Sequence, residues 1–352
     1  MLRLPHPRVA VAVLAAAAVA TTVAALSPGG DDGPVHAAGV PHPGIAPAAS
    51  SAARSSSGKV TDTRLNAQQA ADAAAQKPTA AGLRPEVQPL SPRAFRGPVA
   101  AYRRYAIREA RAMAAPVAAL VRALRAGDRG AARAAWGRAY DRYLLLGAAY
   151  GALGDLDVAI DGSPGGLARG ARDPRFTGLH RIEHDLWTGR TAGEVLPYAR
   201  RLRADVARLP RVLARMTISP LDYSTRAHEI LEDAQRDQLS GAAAPWSGAG
   251  LRATADDLAA TRKVIGTLQP VLSGRGDALP AVESQLAAFG ARMRRVRRAH
   301  GARWPRLDAL RPREREALAG GLGALLEALS AVPGALETQL PAPVPAIPKG
   351  HR

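Results

Sequence analysis

The chain contains no cysteine. That excludes disulfides, thiolate metal sites and a lipid-attachment cysteine. Aromatic residues make up only 4% of the sequence, and the lysines are confined to Lys59, Lys77, Lys263 and Lys349. No segment alternates apolar and polar positions with β-branched enrichment, so the usual signature of a sheet is missing. The GxSxG elbow, the Walker loop and the dinucleotide fingerprint are missing too, and serine hydrolysis and nucleotide chemistry have no support.

What is abundant is alanine and arginine. The net charge is +18 over 352 residues. The pairing of Ala with Arg points to a coding bias towards G and C as much as to selection for charge. An exported basic protein meets anionic wall polymers and lipid headgroups, and either attracts it. Nucleic acid is not the expected partner.

The chain opens as an export segment does. Arg3 and Arg8 precede an apolar run from Val9 to Ala25. Residues 1–28 are read as a signal peptide, with Val35-His36-Ala37 or Val23-Ala24-Ala25 as cleavage stretches, or as an uncleaved anchor. The expected location is extracytoplasmic, secreted or at the cell envelope. Residues 29–94 are rich in Ala, Ser, Gly and Pro and lack the large apolar side chains that offset ordering entropy, so they read as a tether. Residues 334–352 read as a loose proline-rich tail. No segment beyond the first is read as crossing a membrane.

Between them, residues 95–333 carry apolar positions at helical spacing. The pattern predicts helices at about 97–126, 128–153, 176–188, 192–215, 220–238, 249–273, 278–299 and 312–331. Asp128 is placed to cap the second, and Pro116 is expected to kink or split the first. Pro280 falls in the opening turn of the seventh, where proline is tolerated. The fold class is all-α: a bundle of about eight helices, read as two four-helix units.

The most informative stretch is Phe176-Thr177-Gly178-Leu179-His180-Arg181-Ile182-Glu183-His184-Asp185-Leu186-Trp187. His180 and Glu183 stand three residues apart, on one face of a helix, where an imidazole and a carboxylate can share a metal ion. The plain alternative is a polar pair tying this helix to its neighbours. His184 completes a His-x-x-Glu-His string, the motif of a class of zinc peptidases, in which two histidines bind zinc and the glutamate is the general base. Other acidic candidates are Glu109, Asp155, Asp157, Asp161, Glu232 and Asp233, each of which could equally pair with arginine. A run of arginines from Arg292 to Arg315 reads as a docking surface for an anionic wall or membrane, or as a solvated face.

The block from Phe176 to Glu183, followed by Leu186-Trp187, resembles the GxHxxE signature of imelysin-like proteins, and within them the EfeO/EfeM-type components of iron uptake. Tyr102 and Glu109, Asp155-Leu156-Asp157 with Ile160-Asp161, and Leu231-Glu232-Asp233 with Leu239-Ser240-Gly241 are similar to other parts of that branch, over roughly residues 97–331. The resemblance implies an all-helical, exported protein that binds iron, with zinc or copper as other ions. It implies hand-over to a membrane iron permease, with a peroxidase-type partner, and no catalytic step. The implied ligands are His180 and Glu183, completed by Glu109, Asp157 and Glu232. The chain departs from the pattern in three places. Leu144, Gly147 and Gly151 stand where relatives carry glutamates. Ala242 to Gly248 replaces an acidic, histidine-containing stretch, and the cupredoxin domain at the front of longer members has no counterpart. Two rivals follow: a zinc peptidase using His180, Glu183 and His184, and a cell-envelope interaction module that has lost its metal.

Overall fold

The computed structural model of the protein describes residues 88–338. Residues 1–87, which hold the stretch read as an export segment and most of that read as a tether, and residues 339–352 lie outside them. Ordered structure among the described residues includes a bridge between Leu90 and Thr338 and a short 3-10 turn, Pro92–Phe95, ahead of the first long helix. The two ends meet: the Leu90 amide donates to the Glu337 carbonyl at 2.7 Å, and Arg275 donates to the Gln88 carbonyl.

Nine α-helices and no named strand occur among the described residues. They are α1 (Arg96–Arg125), α2 (Arg129–Leu144), α3 (Asp155–Asp161), α4 (Gly178–Trp187), α5 (Ala192–Arg215), α6 (Pro220–Asp233), α7 (Gly250–Leu272), α8 (Ala278–Ala299) and α9 (Pro312–Ala335). Local chemistry sets their starts. Asp128 accepts from the Ala131 amide at 2.9 Å, as its position suggested. Thr191 and Glu194 form a capping box on α5, and Ser219 caps α6 ahead of Pro220.

Two expectations need correction. α1 runs through Pro116 as one helix. The second predicted helix stops at Leu144 instead of 153, and a 3-10 segment, Gly147–Ala152, follows. Gly147 explains the break: a Cβ there would sit 2.8 Å from Ile230 and 3.1 Å from Ala260, so the chain passes too close to α6 and α7 for an ordinary residue. The short α3 lies where no helix had been predicted. α6 continues into a π-helical turn, Ala234–Gln238.

Packing falls into two groups. α1 packs along α2 and α5, with α4 against α5 and α2; α6 to α9 pack in sequence, with α9 returning to α6. α7 joins the groups through α1 and α2, and α3 wedges against α4 and α5. One apolar core runs from Phe95 to Leu336. α9 is long and apolar enough to cross a membrane, with a mean hydropathy of 1.4 in its most apolar window. Its large side chains Leu318, Leu322, Leu325, Leu329 and Val332 are nevertheless buried in this core.

Candidate metal centre

Gly178 opens the site. Its φ of +80° is a conformation that glycine adopts without strain. A Cβ at this position would lie 2.2 Å from the Ile160 carbonyl oxygen and 2.7 Å from that of Ala159. The missing side chain therefore lets the start of α4 press onto the end of α3. The Thr177 hydroxyl donates to the Ala159 carbonyl at 3.3 Å and holds the junction.

This contact brings His180 to Asp161. His180 Nε2 lies 3.3 Å from Asp161 Oδ1, and Nδ1 lies 3.3 Å from Glu183 Oε2. Asp161 Oδ1 is buried yet makes no aligned hydrogen bond, so the first contact is an ion pair off the hydrogen-bond axis. Glu183 is fully buried, and its other oxygen accepts the Ser247 amide at 2.8 Å. Burial alone would lower the His180 pKa. The Asp161 carboxylate, and after it Glu183, outweigh burial and raise it to about 10.

α2 fixes α4 from the other side. Trp136 Nε1 donates to the Leu179 carbonyl at 2.8 Å, and Arg129 and Arg133 both donate to the Leu186 carbonyl. Trp136 stacks on Tyr140, whose ring meets His180 edge-on at 5.5 Å. A chain poor in aromatics thus concentrates them here.

Beyond His180 lies a cavity of about 370 Å³. Its walls come from α2, α3, α4, α6, the π turn and α7. Five aspartates line it, Asp157, Asp161, Asp233, Asp237 and Asp257, together with His180, Gln238 and the Tyr140 and Tyr150 rings. Asp157 accepts from the Tyr143 hydroxyl. Burial raises the Asp157 pKa to about 6, against the lowering effect of that hydrogen bond. Asp257 is only 4% exposed and, among the described residues, makes no hydrogen bond or ion pair. Burial, then the neighbouring Asp256, Asp233, Asp161 and Asp237, push its pKa well up. Among the described residues, no three His, Asp or Glu side chains converge closely enough to hold an ion as they stand.

The structure distributes the sequence candidates unevenly. His180 and Asp157 face the cavity; Glu183 stands behind His180. Glu109 pairs with Arg142 at 2.5 Å, and Glu232 is half exposed beside His228; neither lines the cavity. His184 turns away as well, with Nδ1 2.8 Å from Asp185 and its ring against Trp246. It does not join His180 as a second imidazole. Asp237 and Asp257 had not been singled out at all. Asp257 carried a readable signal: with Ala253, Thr254, Thr261 and Val264 it falls on the buried stripe of α7, where an acid is out of place. Leu144, Ala242 and Ala243 give the cavity an apolar side.

The imelysin family profile matches residues 98–332. Two similar proteins are the iron uptake system component EfeO of Escherichia coli strain K12 and that of Shigella flexneri. Each is 26% identical over 241 residues, which is 68% of this chain. The match spans 64% of each relative's length.

Proposed function

This chain belongs to the imelysin family, and on that premise we propose that its aspartate-lined cavity binds an iron ion as an extracytoplasmic component of iron uptake. The observation that carries the reading is Asp257, a buried acid with no hydrogen bond or ion pair among the described residues, which lines one cavity with His180 and four further aspartates. Asp233 and Asp237 pair with Arg236, and Asp161 with His180, which leaves the buried Asp257 without a cationic partner among the described residues, a charge that is costly unless a cation occupies the cavity. One imidazole among oxygens suits ferrous or ferric iron, and also zinc. The relatives named for iron uptake support the choice of iron.

The chemistry follows from protons. His180 Nε2 and Asp161 share a proton's positive charge where an ion would sit. Binding requires neutral imidazole and ionised carboxylates, so at neutral pH the cation displaces protons from His180 and Asp257. Glu183 accepts from His180 Nδ1 and orients the ring, the role a carboxylate plays behind a ligating histidine. The apolar side of the cavity supplies no ligand, so water completes the shell of the bound ion. Delivery to a membrane iron permease, with a peroxidase-type partner upstream, is the corresponding transport reading.

The test is anaerobic titration calorimetry with ferrous iron on wild type, His180→Ala and Glu183→Ala. His180→Ala is expected to weaken binding by at least about 100-fold, and Glu183→Ala by about 10–100-fold, as expected for a supporting carboxylate. Equal affinity in all three proteins would remove this site. A wild type that binds no ion would favour the interaction-module reading. His184→Ala should leave affinity unchanged, since Asp185 and Trp246 hold that ring elsewhere; metal-dependent peptide cleavage lost in this variant would instead support a peptidase.

Affinity should also fall with acidity. Asp157, with its pKa raised to about 6, takes up a proton between pH 7 and pH 5 and then no longer offers a charge. Between pH 7.5 and 5.5 Asp157 alone should weaken binding by about fourfold, and a group protonated at both values, such as His180, by up to about 100-fold. In buffers of different ionisation heat, the observed enthalpy should change with the buffer, because binding releases protons. An affinity independent of pH would count against aspartate ligation.

A further inference from the structure

We infer that the arginine-lined groove between α8 and α9 docks the protein on anionic phospholipid at a membrane surface. The groove has a volume of about 660 Å³. Arg292 and Arg295 of α8 line it, with Arg311 and Arg313 at the start of α9, over a floor that includes Val296 and Leu318. It lies outside the aspartate cavity and shares no residue with it.

Three features point to a ligand with phosphate and hydrocarbon together. First, the charge is uncompensated. Residues 292–316 contain ten arginines and three acids. Glu314 is turned inward, 2.7 Å from Arg311 and 3.4 Å from His300. Among the described residues, Arg292, Arg295 and Arg313 make no hydrogen bond or ion pair. Second, the stems are laid along apolar surface. A Cβ at Gly321 would come within 2.7 Å of Arg292 Cδ, so the glycine lets this arginine run across α9 and present its guanidinium at the rim. Third, the surface beyond is weakly polar. Ala317, Ala319, Gly320, Ala324 and Ala331 are exposed on α9, with few charges among them.

The occupant follows from the lack of fixed forks. Recognition of one carboxylate in a peptide uses guanidinium groups held in place by neighbours. Here three arginines have no polar partner among the described residues to fix their guanidinium groups, which suits many mobile headgroups, and each basic side chain near an anionic leaflet is worth about fivefold in affinity. A membrane surface is therefore favoured over an acidic protein segment.

Vesicle co-sedimentation of the full chain tests this. The vesicles are phosphatidylcholine alone, or phosphatidylcholine with about one third phosphatidylglycerol, which gives a strongly anionic surface. The apolar run at Val9 to Ala25 is common to every variant, so the readout is the ratio of binding to anionic and neutral vesicles. Wild type should favour anionic vesicles. The triple Arg292→Ala, Arg295→Ala, Arg313→Ala should lose at least about tenfold of that ratio, with an unchanged far-UV spectrum and unchanged ferrous-iron affinity. A matched triple of exposed residues on α5, Arg200→Ala, Arg203→Ala and Arg211→Ala, removes the same charge and should lose less than about threefold. Lysine at the three groove positions should retain the preference, because mobile headgroups need charge and not a planar fork. Equal losses in the two alanine triples would overturn the proposal in favour of general net charge. Absence of any anionic preference in the wild type would overturn it outright. Groove-dependent binding of a glutamate-rich peptide without vesicle preference would reassign the groove to an acidic protein partner.

Discussion

Gly178→Ala is expected to destabilise the protein by about 3 kcal/mol or more, lowering Tm by on the order of 10 °C for a domain of this size. Two effects add. A non-glycine residue held at φ +80° costs roughly 1–2 kcal/mol. The new Cβ would also lie 2.2 Å from the Ile160 carbonyl oxygen, a backbone atom that cannot swing aside, so α4 must lift from α3. Gly127→Ala is the control: its φ is +70° and nothing lies within 4 Å of the added carbon, so only the conformational cost applies. Thermal melts of both variants separate the effects. Similar losses in the two would refute the close-approach argument. Ferrous-iron titration of Gly178→Ala well below its Tm adds a second reading: lifting α4 carries His180 away from Asp161, and affinity should drop at least about tenfold.

The glycine also shows how much of the fold was legible. The strongly periodic segments gave α1 and α4 to α9 to within a few residues, because each presents a long apolar stripe to one core. The errors lie where tertiary contact overrides local pattern. α2 ends early because Gly147 must approach Ile230 and Ala260, and that proximity belongs to another part of the chain. α3 has only seven residues between Gly154 and Gly162, too short for a helical period to emerge. α1 tolerates Pro116 inside a thirty-residue helix packed against α2 and α5, so a local penalty is outweighed by burial along its length.

The site was legible at its anchor and not at its rim. His180 and Glu183 stand out by spacing and surroundings, and the block around them fixed the family. Glu109 and Glu232 were plausible by position along the chain, but Arg142 and His228 stand beside them in space. The cavity's other acids come from α6, the π turn and α7, and no pairwise spacing in the sequence predicts that Asp233, Asp237 and Asp257 meet Asp161. The π turn is part of the reason. Asp233 and Asp237 flank its first residues, and the wider turn carries both to the cavity where a regular helix would have spaced them differently.

Asp257→Asn is expected to move stability and ion binding in opposite directions. In metal-free protein the Asp257 carboxyl is buried, has no partner among the described residues and faces other aspartates. Its folded pKa is therefore raised above the unfolded value of about 4. A group shifted in this direction makes the folded state take up protons. Its contribution turns against folding as pH rises above about 4, and the loss grows up to the folded pKa. Asparagine is close in shape to the protonated acid and removes that loss. With chelator at pH 8, Asp257→Asn should thus be more stable than wild type by on the order of 1–3 kcal/mol, a Tm gain of about 3–10 °C. The gain should shrink towards pH 4. Adding ferrous iron should reverse the order: the wild type gains stability from binding, about 2.7 kcal/mol at 100 times its Kd, while the variant, with one anionic ligand fewer, gains less. Calorimetric melts at pH 5 and 8, with chelator and with iron, give all four quantities. If Asp257→Asn lowers Tm at pH 8 and leaves iron affinity intact, Asp257 is a structural residue and the cavity's ion is held elsewhere. The opposite signs, if found, identify the buried acid as one kept at a cost to the fold because the ion requires it.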